Sequence, residues 1–425
     1  MPANRYRLGL AFCVCLLFVL ITFKINRPWE LMHDDDGPFT VSLAMGHLKL
    51  GLQGTKGHNF QVDLKSNEIV PYPNHPAGMG LLMSGVIRVF GSDNRAAIRA
   101  VPILFQFLSL MLLVGYVKRF YGPSQALIAA YCLALIPMSS FFGRTPYHGP
   151  FLLPAMIIFI LNYFKLCRRN LSKQPITLSL DGRGQGEGEP NGKHWIVAVA
   201  VGLWGAFIDW QFNFALFACF LHSLVSCGMN KDRKFIRTAV FIAVLGFCLI
   251  ALNLVHQYWA FGEGGIARIL NRVDYATHPK AYHPWTEIVG HALEFARRYF
   301  TEVILAGGLF YLCLRIKNFW TTKALPAAKD QVILVFFITG FLNPLLAPNY
   351  ARNHHYMCFY LTPFMVLSFV EMLEWVRQQN ANIFPKIRFA ALVLITLSSA
   401  ITLKIRHTRL HDYAIKTTQE LHRFM

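Results

Sequence analysis

The chain has 425 residues, of which 54% are hydrophobic, 14% aromatic and only 15% charged. That is more apolar surface than one water-soluble core can hide, so lipid must be its solvent. The net charge of +19 does not point to nucleic acid, because Lys and Arg gather in short stretches between apolar runs rather than along one polar face. They read as topology determinants that also touch anionic lipid.

The first apolar stretch, 8–25, follows Arg5 and Arg7 as the core of a signal peptide does. No small-residue cleavage site comes after it, so it reads as a retained signal-anchor helix. Further stretches long enough to cross a hydrocarbon core of about 30 Å fall near 98–117, 124–140, 150–166, 195–211, 212–227, 236–256, 301–316, 331–347, 357–375 and 388–403. Together these predict an all-α integral membrane protein with about eleven transmembrane helices. Residues 77–90 are apolar but short for a span, and they read as a juxtamembrane helix. With that choice Lys118 and Arg119, Arg168 and Arg169, the Lys231–Arg237 cluster, Arg315 and Lys317, and Arg377, Lys386 and Arg388 all fall on the side of the N-terminus. If 77–90 crossed, every one of these clusters would move to the other face, against the positive-inside tendency. One feature resists: the tail with Lys404, Arg406, Arg409 and Lys416 lands outside.

Two long non-cytoplasmic loops result, 26–97 and 257–300, and long loops often carry function. Asn170 to Lys193 is low-complexity and Gly-rich, a flexible cytoplasmic linker. The chain therefore divides into a module at 1–166 holding the first span, the first loop and spans two to four, a linker at 167–194, and the remaining helices with the second loop at 195–425. The nine cysteines lie mostly inside apolar stretches with no ligand-like spacing, and Cys13 and Cys15 read as packing or lipid-facing residues.

His33-Asp34-Asp35-Asp36-Gly37 stands just beyond the first span. Three adjacent carboxylates repel one another and raise at least one pKa unless a cation or proton donor is near, which favours a working cluster over a solvated turn. From Pro38 to Leu52, Phe39, Leu43, Ala44, His47 and Leu50 share one helical face, as in an amphipathic helix lying on the membrane surface. In Tyr72-Pro73-Asn74-His75-Pro76-Ala77-Gly78, prolines restrict the chain on both sides of His75. Asp209 and Trp210 read as the polar residues a short loop requires, and His278, His283 and Trp285 as candidates for acceptor contact.

Taken in order, the first helix, Asp35-Asp36, Ala44 eight residues later, Gly51, the Tyr-x-x-His-Pro turn and the Phe90–Arg99 segment resemble the GT-C glycosyltransferases. The likeness is greatest to the family 39 protein O-mannosyltransferases and the lipid A aminoarabinose transferases. Lys118 to Gly122 resembles their basic turn after the second helix, and Pro137 with Phe142-Gly143-Arg144-Thr145 their Arg-bearing second external loop. The resemblance covers about the first 165 residues; later, only Asn349 to Pro363 is similar to the family's lipid-phosphate region. Where many members carry an acid soon after the second-loop Arg, this sequence has Tyr147-His148-Gly149-Pro150. Either His148 replaces that acid as a hydrogen-bonding partner or activity is altered.

The resemblance implies a GT-C fold whose long first external loop carries juxtamembrane helices. It implies inverting transfer of a sugar from undecaprenyl- or dolichyl-phosphate to a hydroxyl of a lipid, glycan or protein. The active site would face away from the cytoplasm, in a bacterial plasma (inner) membrane or a eukaryotic endoplasmic reticulum. One of Asp35 and Asp36 is the expected base, Asp36 being favoured by its interval to Ala44. Asp34, His75, Arg99, Arg144, His148, Arg352, His354 and Tyr356 are the expected substrate-binding residues, with the arginines directed to phosphate. No cofactor and no metal are expected, because a divalent ion needs several oxygen ligands and the absent second-loop acid removes one. Two other readings remain: a noncatalytic partner of the same fold, suggested by His148, and a lipid or solute transporter. A transporter would place its ionisable groups mid-membrane on broken helices.

Overall fold

The computed structural model describes residues 1–26, 36–62, 68–167, 192–231, 233–277, 285–348 and 355–424. Among them nine helices are long and apolar enough to cross a membrane. They lie within α1 (Ala3–Thr22), α4 (Arg95–Tyr121), α7 (His148–Cys167), α9 (Phe212–Asn230), α10 (Arg233–Thr277), α12 (Glu302–Thr322), α13 (Ala328–Leu346), α14 (Thr362–Gln379, preceded by a 3-10 helix at His355–Leu361) and α15 (Phe384–Phe424). The shorter apolar helices α5 (Pro123–Leu135) and α8 (Lys193–Ile208) occupy two more of the expected spans. Every expected span thus falls on a helix.

The stretch expected as one span at 124–140 is split. Ile136 leaves the helical region (φ −55, ψ 120) because Pro137 follows it, and a short helix α6 (Pro137–Phe142) restarts with proline at its first turn. The break turns the chain toward α7 and puts Arg144 and Tyr147 in the connection.

Hydrogen bonds fix which helix ends lie together. At one end Gln125 of α5 donates to Glu374 of α14 (2.9 Å), and Arg315 of α12 meets Asp330 of α13 (2.7 Å) and Glu371 of α14 (2.9 Å). There too His222 of α9 contacts Tyr163 of α7 (2.6 Å) and Gln331 of α13 (2.8 Å), and the Lys118 ammonium lies 4.7 Å from the Tyr6 ring near the start of α1. Lys118, Arg315 and Arg377 therefore collect at the end where α1 begins, as the charge bias requires. By Ser398 α15 reaches the opposite end, where that side chain donates to Glu302 at the start of α12 (2.6 Å).

The most hydrophobic interior surrounds α7 and α14, whose spanning windows are 78% and 83% buried. By contrast α1 and α15 are 22% and 11% buried and present Leu8, Phe12, Phe389 and Leu397 outward. Such a surface suits hydrocarbon, because the backbone polar groups of each helix are satisfied internally.

The first loop is a packed cap. It holds α2 (Asp36–Thr55, broken at Gly51 with φ 67), an antiparallel hairpin of β1 (Phe60–Val62) and β2 (Ile69–Pro71), and α3 (Gly78–Phe90). The helix expected to lie on the membrane surface is instead clamped: Thr40, Ser42, Leu43, Ala44 and His47 are buried, whereas Leu50, expected on the inward face, is exposed. The cause is the hairpin, since Ser42 donates to the Val62 carbonyl (2.9 Å) and Gly46 lies so close to Phe60 that an added Cβ would stand 2.0 Å from its carbonyl oxygen. The second loop, expected at 257–300, is mostly helical. Beyond a break at Gly262 (φ 63) α10 continues to Thr277, and α11 spans Trp285–Phe300. Lys56 ties this extension to the first loop, its Nζ donating to Trp259 O (3.2 Å) and its carbonyl accepting from His256 Nε2 (2.9 Å).

Candidate functional site

The Tyr72–Ala77 turn is held from below by Asn59. Its Nδ2 donates to the carbonyls of His75 (3.1 Å) and Pro76 (2.9 Å), and its own carbonyl accepts from the Tyr72 N–H (2.9 Å). Asn59 is braced in turn by His47 (3.3 Å), whose other ring nitrogen meets Thr55 (3.3 Å). The Tyr72 ring stacks on His75 with centroids 6.0 Å apart, and Phe39 packs edge-on against Tyr72. Close backbone approach makes the arrangement compact: an added Cβ would stand 2.4 Å from Phe207 O at Gly78 and 2.4 Å from Asn59 Oδ1 at Gly80.

His148 opens α7, and the chain just before it is pinned by the Thr40 hydroxyl, which donates to Pro146 O. Asp209 ends α8 in an extended conformation. Its N–H donates to Gly205 O (2.9 Å) and its Oδ1 accepts from the Gln211 N–H (2.9 Å). A short polar side chain can bond the backbone two residues on in this way, which fixes the carboxylate before α9 begins.

These three elements converge. Asp209 Oδ2 lies 2.6 Å from His75 Nδ1 and 3.3 Å from His148 Nδ1, and the two imidazoles stack with centroids 4.6 Å apart. Asp209 is 1% exposed, His148 7% and His75 20% at the side chain. Burial alone would raise the Asp209 carboxyl, but the His148 and His75 imidazoles and the bonds from His75 and Gln211 outweigh it and bring it down to about 2. The carboxylate is thus ionised and orients both rings. A carboxylate-held imidazole is suited to proton exchange or phosphate hydrogen bonding, and two imidazoles with one carboxylate are also a ligand set.

Two buried arginines hold the chain at the C-terminal end of α1. Arg99 donates to Ile25 O (2.5 Å) and Arg144 to Phe23 O (2.8 Å), where the carbonyl end of a helix favours positive charge. They fasten the chain immediately ahead of the acidic segment. Asp34, Asp35, Arg352 and His354 lie outside the described residues. Asp36 opens α2 and Tyr356 lies in the 3-10 helix, their side chains being outside the description. His278 and His283 are also outside it, and Trp285 opens α11.

Of the expected site residues the structure therefore brings His75 and His148 into one cluster and sets Arg99 and Arg144 on the end of α1. Sequence reasoning missed Asp209 as their partner, and missed Asn59, His47 and Thr40 as supports. The available signal was one acid alone between two apolar stretches, a placement that is costly unless the acid is paired.

Residues 74–180 match the family described as dolichyl-phosphate-mannose-protein mannosyltransferase, a segment that includes His75, Arg99, Arg144 and His148. No curated protein matches the chain. Among solved structures it is similar to the Archaeoglobus fulgidus oligosaccharyltransferase in complex with Zn and sulfate (TM-score 0.58, 14% identity, covering 93% of this chain and 53% of that one). It is likewise similar to the oligosaccharyltransferase AglB of that organism with an inhibitory peptide and a dolichol-phosphate (0.57, 13%, 95% and 56%). A third likeness is to ArnT from Cupriavidus metallidurans bound to undecaprenyl phosphate (0.57, 14%, 98% and 75%). The chain spans about half the length of the archaeal enzymes. At these identities the likeness is one of fold.

Proposed function

The chain has the GT-C glycosyltransferase fold, and from that premise we propose that it moves a sugar from a polyprenyl-phosphate donor to an acceptor hydroxyl at the non-cytoplasmic face, inverting the anomeric centre. The observation that carries this reading is the pairing of His75 and His148 with Asp209 at the bundle end opposite Lys118 and Arg315, the same end at which Arg99 and Arg144 fasten the chain that leads from α1 into the acidic segment. Proteins of the same fold are bound to undecaprenyl phosphate and dolichol-phosphate, which supports a polyprenyl-phosphate donor.

In this mechanism Asp35 or Asp36 takes the proton of the acceptor hydroxyl as its oxygen attacks the anomeric carbon. The bond from that carbon to the donor phosphate breaks, and its electron pair leaves with polyprenyl phosphate. Arg99, Arg144 and Arg352 supply positive charge to the departing phosphate. Asp34, His75, His148, His354 and Tyr356 hydrogen-bond donor or acceptor, with Asp209 fixing the orientation of His75 and His148.

The test is to incubate the purified protein in lipid nanodiscs with a panel of labelled polyprenyl-phosphate hexoses and pentoses, together with lipid, glycan and peptide acceptors. Release of polyprenyl phosphate coupled to a product of inverted configuration is the expected result. A folded protein that releases none across the panel overturns catalysis and favours the noncatalytic partner suggested by His148.

A further inference from the structure

We infer that His75, His148 and Asp209 form a binding site for one divalent transition ion of the Zn2+ or Co2+ class. One ligand atom from each residue lies within 4.8 Å of the others. Both imidazoles direct Nδ1 at the same carboxylate oxygen, at 2.6 and 3.3 Å. Donors bound to one zinc ion at about 2.0–2.1 Å in tetrahedral geometry stand roughly 3.3 Å apart, so an ion enters with side-chain shifts below about 1 Å and takes the place of the imidazole protons.

The backbone presents these donors ready-made. Asn59 holds the His75 carbonyl, Gln211 holds the second carboxylate oxygen, and His148 is set by the start of α7. Ligating groups fixed by outer hydrogen bonds of this kind raise metal affinity. Two nitrogen donors and one oxygen select a late first-row ion over Mg2+ or Ca2+, which demand oxygen. Three protein ligands leave a fourth position, and His75, the most exposed of the three, marks the open side. The use of that position rests on the proposed transfer: it would take a phosphate oxygen of the donor.

The site is tested without turnover. The full chain, purified in detergent and stripped with a chelator, is titrated with Co2+ while its visible absorption is followed, and then with Zn2+ in competition. The expected result is about one equivalent bound, with affinity at least roughly 10-fold weaker in each of His75→Asn, His148→Gln and Asp209→Asn, and unchanged in His256→Asn. His75→Asn changes the least buried ligand, so it reports on binding even where Asp209→Asn disturbs folding. A wild type that takes up no Co2+, or a folded His75→Asn variant that binds as tightly as wild type, overturns the site. Transfer is measured on the same samples: Co2+ uptake without transfer supports the site and counts against the proposed reaction, whereas transfer without Co2+ uptake overturns the site alone.

Discussion

Asp209 Oδ2 stands 2.6 Å from His75 Nδ1 although 134 positions separate the two residues. The contact joins the last turn before α3 to the end of α8, and backbone on each side holds it: Asn59 under His75 and the Gln211 N–H on the other carboxylate oxygen. The placement of these two side chains therefore depends on backbone contacts outside the cluster itself.

Asn59→Ala should show this. It removes the donor to two carbonyls and the partner of His47, interactions worth roughly 1 kcal/mol each. Thermal unfolding in detergent should move to lower temperature by an amount equivalent to about 3 kcal/mol, and transfer should fall as His75 loses its position. Stability unchanged from wild type would remove Asn59 from this role.

Two glycines should answer oppositely to alanine. At Gly46 a Cβ meets the Phe60 carbonyl oxygen at 2.0 Å, so the hairpin must move, at a cost of about 1–3 kcal/mol. At Gly85 in α3 nothing lies within 4 Å, and Ala should stabilise the helix by about 0.5–1 kcal/mol. Comparison of the two unfolding midpoints checks the packing of the first loop directly.

Arg144→Met should detach the end of α1 from the α6–α7 connection. A buried hydrogen bond from a charged group contributes about 1.5–3 kcal/mol, and the lost guanidinium should also weaken donor binding. Affinity for a short-chain polyprenyl phosphate and the thermal midpoint should both decline; a variant that keeps both would make Arg144 incidental.

His58 gives a pH signature. Burial first, then the His256 imidazole of α10 and His47 of α2, lower it from about 6.5 to about 4, against a bond with the His256 backbone. His47 is lowered too, by burial. The unfolded chain binds the His58 proton at higher pH than the folded one, so this stability is present above about 6.5 and is lost as pH falls toward 4. Between pH 7.5 and 5 the wild-type midpoint should drop further than that of His58→Gln. Equal drops would contradict a buried neutral His58.

Topology is open to labelling. A single Cys placed at Asn94, the cap of α4, should react with an impermeant reagent only from the non-cytoplasmic side, whereas one at Lys118 should react only from the other. Reversal of the pattern would sink the assignment of faces.

The helices were legible because hydropathy reports spans directly, and Asn94, Gly122 and the basic turns mark their ends. The split before Pro137 was missed although the proline signals it, since both halves are equally apolar. The extension of α10 past Gly262 was not legible: Glu263, Arg268 and Asp274 read as loop, and hydropathy is silent about a helix that leaves the membrane. His75 was visible in its proline-flanked turn, and His148 as the residue standing where the resembling enzymes carry an acid. Their partnership with Asp209 was not, because a pairing across 134 positions leaves no local pattern, and the count of possible ligands considered oxygen alone.

The most direct test of the account is the rate of sugar transfer from a labelled polyprenyl-phosphate donor by the purified wild type beside Asp35→Asn and Asp36→Asn. Loss of a general base costs about 100-fold to 10,000-fold. The account predicts measurable transfer by wild type and a fall of that size in one Asn variant, most strongly at Asp36, with donor still bound. Near-normal transfer by both variants, or none by a folded wild type, would contradict it.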